Sequence, residues 1–288
     1  MKQAYVALHA PLGTGLDVKM GVWDTIIGYE VFESGSNPNF TRSYGYSMEP
    51  TTHTGILASY TFCPEFAVNF GIADTFGPSI NGRANPPQAE SFKTYMGSFT
   101  YTVPTNCGFL SGSTLTGCII NGYNTAVLGG AGGNETSYYA GASVNTPVKG
   151  LTVGGAFDYM DVHNTGGETW CLGGYVGYHM TEKLSLYGRA EYLRDRGDQK
   201  FFGTRTDPAD PTTFVASAPD KVLEMTGTIQ YDLWKNVMTR LEVRWDHSLS
   251  GAGTWGGTVP NTTAFVDDLP ASTEKNAVAL IANVIYKF

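Results

Sequence analysis

The chain has 288 residues, of which only 15% are charged and 13% are aromatic, and it contains 36 glycines. Charged residues make up about 25% of a typical globular chain, so this composition is poor in the residues that form helices. The net charge of −8 and the scattered basic residues exclude the positive footprint of a nucleic-acid-binding protein, and we expect no nucleic-acid partner.

The apolar residues are spread along the chain rather than gathered into long runs. No apolar run reaches the roughly 18 residues that a membrane-spanning helix needs. The mean hydropathy is −0.15, as expected when one face of each strand meets water. The sequence starts at Met1 in a strand-like pattern without a secretory signal. We therefore expect either a removed signal or a start inside a longer protein.

Strand-like segments alternate with short turns on one side and long connections on the other. The predicted strands cover 3–9, 15–22, 53–62, 65–73, 91–103, 109–120, 136–145, 150–160, 168–180, 183–194, 221–233, 236–247 and 275–288. The long connections, rich in Gly, Pro, Asn, Asp and Thr, cover 23–52, 74–90, 121–135, 161–167, 196–220 and 248–273. This asymmetry predicts a barrel with periplasmic turns and extracellular loops.

Side chains alternate clearly in the late strands. In one strand, the apolar face carries Val237, Leu241, Val243 and Trp245, and the polar face carries Arg240, Glu242 and Arg244. A soluble sandwich with one wet face also alternates, but many of these segments reach about 10 residues, longer than sandwich strands usually are. We predict an all-β, antiparallel transmembrane β-barrel forming a single domain over residues 1–288.

The last strand places Phe288 at the end of the chain and Tyr286 two residues before it. In a transmembrane barrel, such aromatic residues lie at the membrane interface. About thirteen strands are visible, whereas bacterial single-chain barrels close with an even number. We therefore expect further strands before Met1 and a total of 14 to 16 in the complete protein.

The residue types of common catalytic and metal sites are present but dispersed. Cys63, Cys107, Cys118 and Cys171 lack metal-ligand spacing, so we expect no zinc or other metal site. Free thiols, a Cys63–Cys107 disulfide and a Cys107–Cys118 disulfide all stay open. The pattern points to no catalytic residue and no cofactor. A barrel enzyme would instead need a Ser or Asp at hydrogen-bond distance from His53 or His179, on the outer wall or the rim.

The first sixty residues carry the most specific motifs. These are QAYVA at 3–7, GLDVKMG at 15–21, IGYE at 27–30, NPNFTRSY at 37–44 and THTG at 52–55. This block resembles the β-barrel porins of the OmpL-like type, and the similarity extends over the chain, although residues 100–131 depart from it. The resemblance implies a porin with a signal peptide and about three more strands before QAYVA. It also implies that Tyr286 and Phe288 are the signal for the barrel insertion machinery.

A barrel of about sixteen strands leaves an aqueous channel, so its narrowing decides what passes. We expect the long connection 23–52 to fold inward, with a constriction formed by Glu30, Glu33, Arg42 and Tyr44. In the alternative, these residues brace the connection against the barrel wall.

Six charged residues of neighbouring strands are predicted to line the pore. They are Arg189, Glu191, Glu224, Arg240, Glu242 and Arg244. Opposite charges on adjacent strands stabilise a wet wall, and rings of mixed charge also set ion preference.

The sequence thus predicts a porin of the bacterial outer membrane, a water-filled channel for passive diffusion of small hydrophilic solutes or ions. The alternative is a structural barrel that holds a surface or periplasmic protein partner through its loops. Outer-membrane lipid and the insertion machinery are the expected partners, and a homo-oligomer is a further one.

Overall fold

Thirteen antiparallel strands form one sheet in chain order, and two short strands form a separate hairpin, within the residues that the structure describes. The structure is a computed structural model that describes residues 2–80, 82, 84, 92–124, 133–162, 167–196, 201, 205–207, 210–216, 220–250, 255 and 274–287. No helix in these ranges is long and apolar enough to cross a membrane. The all-β, antiparallel prediction is confirmed.

The strands of the large sheet pair with their neighbours in sequence. They are β1 (Ala4–Ala10), β2 (Leu16–Asp24), β3 (Thr52–Cys63), β4 (Phe66–Ala73), β5 (Thr94–Thr102), β6 (Thr114–Tyr123), β7 (Asn134–Asn145), β8 (Leu151–Val162), β9 (Gly167–His179), β10 (Leu184–Arg196), β13 (Lys221–Trp234), β14 (Val237–Ser248) and β15 (Asn276–Tyr286). The hairpin consists of β11 (Arg205–Asp207) and β12 (Asp210–Ala216). It lies in the connection 196–220, where we predicted no strand.

The turn between β5 and β6 is longer than predicted, because β6 starts at Thr114 and not at residue 109. Residues Gly108–Leu110 form a 3₁₀ helix. Gly108 and Gly112 have φ angles of 60° and 78°, a region that glycine adopts readily. The Gly112 N–H donates to the carbonyl of Val103 at 2.9 Å, which closes the turn. Local glycine chemistry thus overrides the apolar character of Phe109 and Leu110.

The outer face of the sheet is apolar. On β15, Val278 and Leu280 are each 71% exposed, and Tyr286 points to the same side. The intervening residues of the strand are partly buried, as the two-residue period of a strand requires. Exposed apolar side chains along the outer face of a sheet suit a lipid environment rather than water. The outward aromatic at Tyr286 agrees with the alternation read from the sequence, whereas Phe288 lies outside the described residues.

The connection between β2 and β3 enters the barrel. Residues 25–51, here called the inward loop, contain a 3₁₀ helix (Ser34–Ser36) and helix α1 (Tyr44–Met48). The Ser43 side chain accepts from the Tyr46 N–H at 2.9 Å, so it caps α1 at its first turn. Backbone and side-chain atoms of the inward loop contact β8, β9, β10, β13 and β14 from inside. The inward folding predicted for residues 23–52 is therefore present.

Gly21 allows β1 and β2 to approach each other closely. Its φ angle is 132°, and a Cβ atom there would lie 2.2 Å from the Ala4 carbonyl oxygen. We expect Gly21→Ala to reduce the free energy of unfolding by about 1–3 kcal/mol, because strained backbone and a displaced strand both cost energy. The temperature midpoint of the β-sheet circular dichroism signal measures this loss.

Gly227 on β13 offers a matched control, since a Cβ atom there would have no neighbour within 4 Å. Gly227→Ala should leave the midpoint unchanged or raise it slightly, because alanine restricts the unfolded chain. Equal midpoints for the two variants would contradict the steric argument at Gly21.

Candidate functional site

Charged side chains are concentrated on the inner face of β10, β13 and β14. Register aligns Glu191 with Glu224, and Glu224 with Asp246, while Arg189 and Arg244 both stand opposite Thr226. Because these positions differ by two along each strand, their side chains share one face. The three strands thus form a charged wall inside the barrel.

Arg189 is the centre of this wall. Its guanidinium lies 2.8 Å from Glu30 Oε1, 3.1 Å from Glu224 Oε1 and 3.4 Å from Glu191 Oε2, and its side chain has no exposed surface. It also donates to the carbonyl oxygen of Thr41 at 2.7 Å. Charge-assisted bonds of this kind are stronger than neutral ones. One arginine therefore ties the inward loop to two strands.

Glu242 and Arg240 of β14 hold the loop backbone. Glu242 accepts the N–H groups of Phe40 at 2.6 Å and Thr41 at 2.8 Å. Arg240 donates to the carbonyl oxygens of Ser34 at 3.0 Å and Asn37 at 2.6 Å. The wall thus supplies both acceptors for loop N–H groups and donors for loop carbonyls, which satisfies polar backbone in an enclosed place.

Further bonds fix the start of helix α1. Glu191 accepts the N–H groups of Tyr44 at 3.0 Å and Gly45 at 3.3 Å, where a carboxylate also meets the positive end of the helix. The Tyr44 hydroxyl donates to Asp246 Oδ1 at 2.8 Å. Arg244 bonds Asp246 and also donates to the carbonyl of Arg42 at 2.6 Å. The loop between Thr41 and Gly45 is therefore anchored at several points.

The structure brings the four predicted constriction residues into one loop but gives them different partners. Glu30 is buried against Arg189, and Tyr44 bonds Asp246. Arg42 donates to the carbonyls of Val31 and Phe32 and lies over the Tyr46 ring, 3.8 Å from Glu30. Glu33 pairs with Lys2, which lowers the pKa of the Glu33 carboxyl. This geometry matches the bracing alternative, and their control of the pore stays a prediction.

The six predicted lining residues all point inward from β10, β13 and β14, but the inward loop covers them. Five of the six are buried, with exposures of 0–4%, and the sixth, Arg244, has 15% of its side chain exposed. Their charges therefore meet loop atoms and one another rather than open lumen. A direct role in ion preference stays a prediction.

A second attachment of the loop, to β8, which is separated from β10 only by β9, was not predicted. Glu49, which follows α1, shares a hydrogen bond with Asp158 of β8. Burial, followed by the charge of Asp158, raises the pKa of Glu49 well above its ordinary value. Nearby, the Tyr29 and Tyr175 rings stack with centroids 4.0 Å apart. In the sequence, Asp158 is one of two acids in a strand of mostly apolar and small residues, which is too weak a signal for a site.

Among the cavities formed by the described residues, two border both the inward loop and several strands. The tyrosine cavity, of about 640 Å³, is lined in part by Tyr29, Tyr139, Tyr175 and Tyr187 and lies between the loop and the short turns. The amide cavity, of about 430 Å³, is lined in part by Ser59, Asn69 and Ser98. The loop narrows the lumen and leaves space along the wall that it does not cover.

The histidine and cysteine side chains make few contacts that could support chemistry within the described residues. His179 Nδ1 lies 2.8 Å from Ser185 Oγ, but no carboxylate bonds the His179 ring within the described residues, so the third member of a catalytic triad is missing there. His53 bonds Thr25. All four cysteines are free thiols, and the described ranges contain no group of three His, Cys, Asp or Glu side chains that could hold a metal ion.

Comparison with known proteins agrees with this architecture. The family model described as "Putative beta-barrel porin-2, OmpL-like" matches residues 1–288. No curated protein matches the chain.

Solved outer-membrane structures share the fold at low identity. OmpT of Vibrio cholerae is 12% identical with a TM-score of 0.54, covering 98% of this chain and 80% of its own. The channel DcaP of Acinetobacter baumannii is 10% identical with a TM-score of 0.55, covering 98% and 83%. OprB of Pseudomonas putida is 12% identical with a TM-score of 0.52, covering 93% and 68%. The chain therefore belongs to the OmpL-like β-barrel porin-2 family, and its barrel lies in the bacterial outer membrane.

Proposed function

We propose that the barrel is a water-filled channel through which small hydrophilic solutes diffuse passively, with the inward loop as its constriction. The observation that carries this proposal is the way the loop is held. Arg189, Arg240 and Glu242 bind it against one wall, and cavities of about 640 and 430 Å³ remain beside it. A loop fixed to one side narrows a pore without filling it. No chemical step is involved.

The two ends of the barrel indicate its orientation in the membrane. The short turns face the periplasm and the long connections face the exterior, in line with the usual asymmetry of such barrels. The outward Tyr286 on β15 supports recognition of this strand by the insertion machinery, with Phe288 completing the signal. A homo-oligomer and a surface or periplasmic protein partner remain predictions.

Single-channel conductance of the purified protein in planar bilayers tests the proposal. The wild type should give stable, small open steps. Glu242→Gln replaces the carboxylate that accepts the Phe40 and Thr41 N–H groups with a neutral amide, which weakens both hydrogen bonds. We therefore expect larger and noisier conductance steps. Glu182→Gln, an exposed residue of the turn between β9 and β10, is the matched control and should behave as the wild type.

The outcomes separate the channel from the structural alternative. Absence of conductance from correctly folded barrels would favour a barrel that anchors a partner through its loops. Identical conductance of the wild type and Glu242→Gln would support the channel but contradict the inward loop as its constriction.

A further inference from the structure

Two parts of the barrel wall differ in charge. We call β10, β13 and β14 the charged half and β3, β4, β5 and β6 the neutral half. β10, β13 and β14 carry the charged residues that bind the inward loop. By contrast β3, β4, β5 and β6, which are described in full, contain no Asp, Glu, Lys or Arg. The inward loop lies against the charged half, and its Ile27 also packs with Leu57, Met96 and Ile120 of the neutral half. The part of the neutral half that faces open space therefore lies nearer the short turns, where its residues line a cavity.

Near the short turns, the inner face of the neutral half is polar. The Ser59 hydroxyl donates to Asn69 Oδ1 at 2.6 Å, and Asn69 Nδ2 donates to Ser98 Oγ at 3.0 Å. The hydroxyls of Thr100 and Thr116 lie 3.3 Å apart. These bonds run from strand to strand across β3, β4, β5 and β6, so hydroxyl and amide groups form a ladder across the wall.

Both cavities follow this ladder. Ser59, Asn69, Ser98 and Thr100 line the amide cavity. Thr114, Thr116, Ser143 and Thr152 line the tyrosine cavity. The contact between Thr100 and Thr116 therefore joins the linings of the two cavities. A solute that moves from one to the other passes along a surface of neutral donors and acceptors.

The charges that border the cavities do not favour one sign at the neutral wall. Lys19 and Asp24 border the amide cavity, where Lys19 lies over the Tyr5 ring and Asp24 is 3.0 Å from Lys2. Asp232, Arg240 and Lys287 border the tyrosine cavity from the β13–β15 side and the loop. Arg240 is committed to loop carbonyls and to Gln230.

On the basis of the proposed channel function, we infer that this porin prefers neutral, hydroxyl-rich solutes of the size of a simple sugar over ions of similar size. A hydroxyl-rich solute can exchange its bonds to water for bonds to the ladder. An ion would lose part of its hydration shell along this wall and meet no opposite charge there. Cavities of about 300–1,000 Å³ accommodate molecules of drug size, so a sugar fits both spaces.

Liposome swelling tests this preference with three solutes of similar size. Glucose is neutral, gluconate is an anion and glucosamine is a cation. Liposomes that contain the wild-type protein should swell several-fold faster in glucose than in either charged solute. In planar bilayers with a salt gradient, the reversal potential of the wild type should lie close to zero.

A charge placed in the ladder should change the selectivity. Asn69→Asp retains the acceptor for Ser59, and the Ser98 hydroxyl can turn to donate to the new carboxylate, so the ladder keeps its bonds. We expect a shift of the reversal potential towards cation selectivity and faster entry of glucosamine. Ser98→Asp is a second variant with the same expectation, and Asn236→Asp, in the exposed turn before β14, is the control without effect.

The possible results separate this inference from the channel proposal. An open wild-type channel that admits gluconate or glucosamine as fast as glucose would overturn the inference alone. So would a reversal potential that both ladder variants leave unchanged. No swelling in any solute, together with no conductance, would overturn the channel proposal and the inference with it.

Discussion

Arg189→Met should raise the single-channel conductance several-fold and lower the stability of the barrel. Arg189 is bonded to Glu30, Glu191 and Glu224, which are all buried. Its removal leaves three carboxylates close together without their shared cation. Breaking a buried ion pair by deleting one partner typically costs about 3–5 kcal/mol. The loop carbonyl of Thr41 also loses its donor, so this side of the inward loop should detach from the wall.

Conductance in planar bilayers and the temperature midpoint of unfolding measure the two effects. Arg196→Met is the matched control, because Arg196 lies on the same strand but is exposed at its end. Arg189→Lys retains the charge but not the forked donor geometry, so it should fall between the wild type and Arg189→Met. Wild-type conductance and stability in Arg189→Met would show that the loop does not depend on this arginine.

The strands were predicted well from the sequence because each strand of a barrel shows its inner and outer faces in its own side-chain alternation. The alternation around Arg240 and Glu242 indicates an inner face regardless of what lies opposite it. One exception is the hairpin of β11 and β12, which lies where no strand was predicted. The other is the turn before β6, where the positive φ angles of Gly108 and Gly112 extend the turn into a segment with apolar residues. Such turn chemistry depends on backbone geometry that the side-chain pattern does not contain.

The partners of the site residues could not be predicted in the same way. Glu30 and Arg189 are 159 positions apart in the sequence, and Phe40 and Glu242 are 202 apart. The alternation places Arg189 and Glu242 inside the barrel. It does not tell whether they face water or the backbone of a loop, because both surroundings are polar. Only the path of the inward loop decides between them. The sequence shows that β3–β6 contain no charged residue. Whether these strands line open lumen depends on which part of the wall the loop covers.

Glu49 attaches the far end of the inward loop through a carboxyl pair, and this attachment should depend on pH. Its hydrogen bond with Asp158 requires a proton on one of the two groups. Glycines leave room for the pair: a Cβ atom at Gly45 would lie 2.5 Å from Asp158 Oδ2, and one at Gly28 would lie 2.2 Å from Glu49 Oε2. Burial first, then the charge of Asp158, its hydrogen bond and the charge of Glu30, raise the pKa of Glu49 above its ordinary value of 4.5.

The sign of the pH effect follows from this direction. The folded barrel holds a proton on Glu49 at pH values at which the unfolded chain has released it. Below pH 4.5 both states are protonated and the pair imposes no pH-dependent cost. As the pH rises from there towards the raised pKa, the free energy of unfolding falls, because the proton must be retained or two like charges must face each other.

Glu49→Gln should therefore flatten this pH dependence, because its amide keeps a donor for Asp158 and carries no charge that titrates. We expect equal temperature midpoints for variant and wild type near pH 4 and a higher midpoint for the variant near pH 8. Glu182→Gln changes the same residue type in an exposed turn and should keep the wild-type profile. A variant that loses stability with pH as the wild type does would place the titrating group elsewhere. If the profile does flatten, permanent charges attach the inward loop to β10, β13 and β14 and a titrating pair attaches it to β8, so alkaline pH should loosen the loop only near Glu49, where α1 ends.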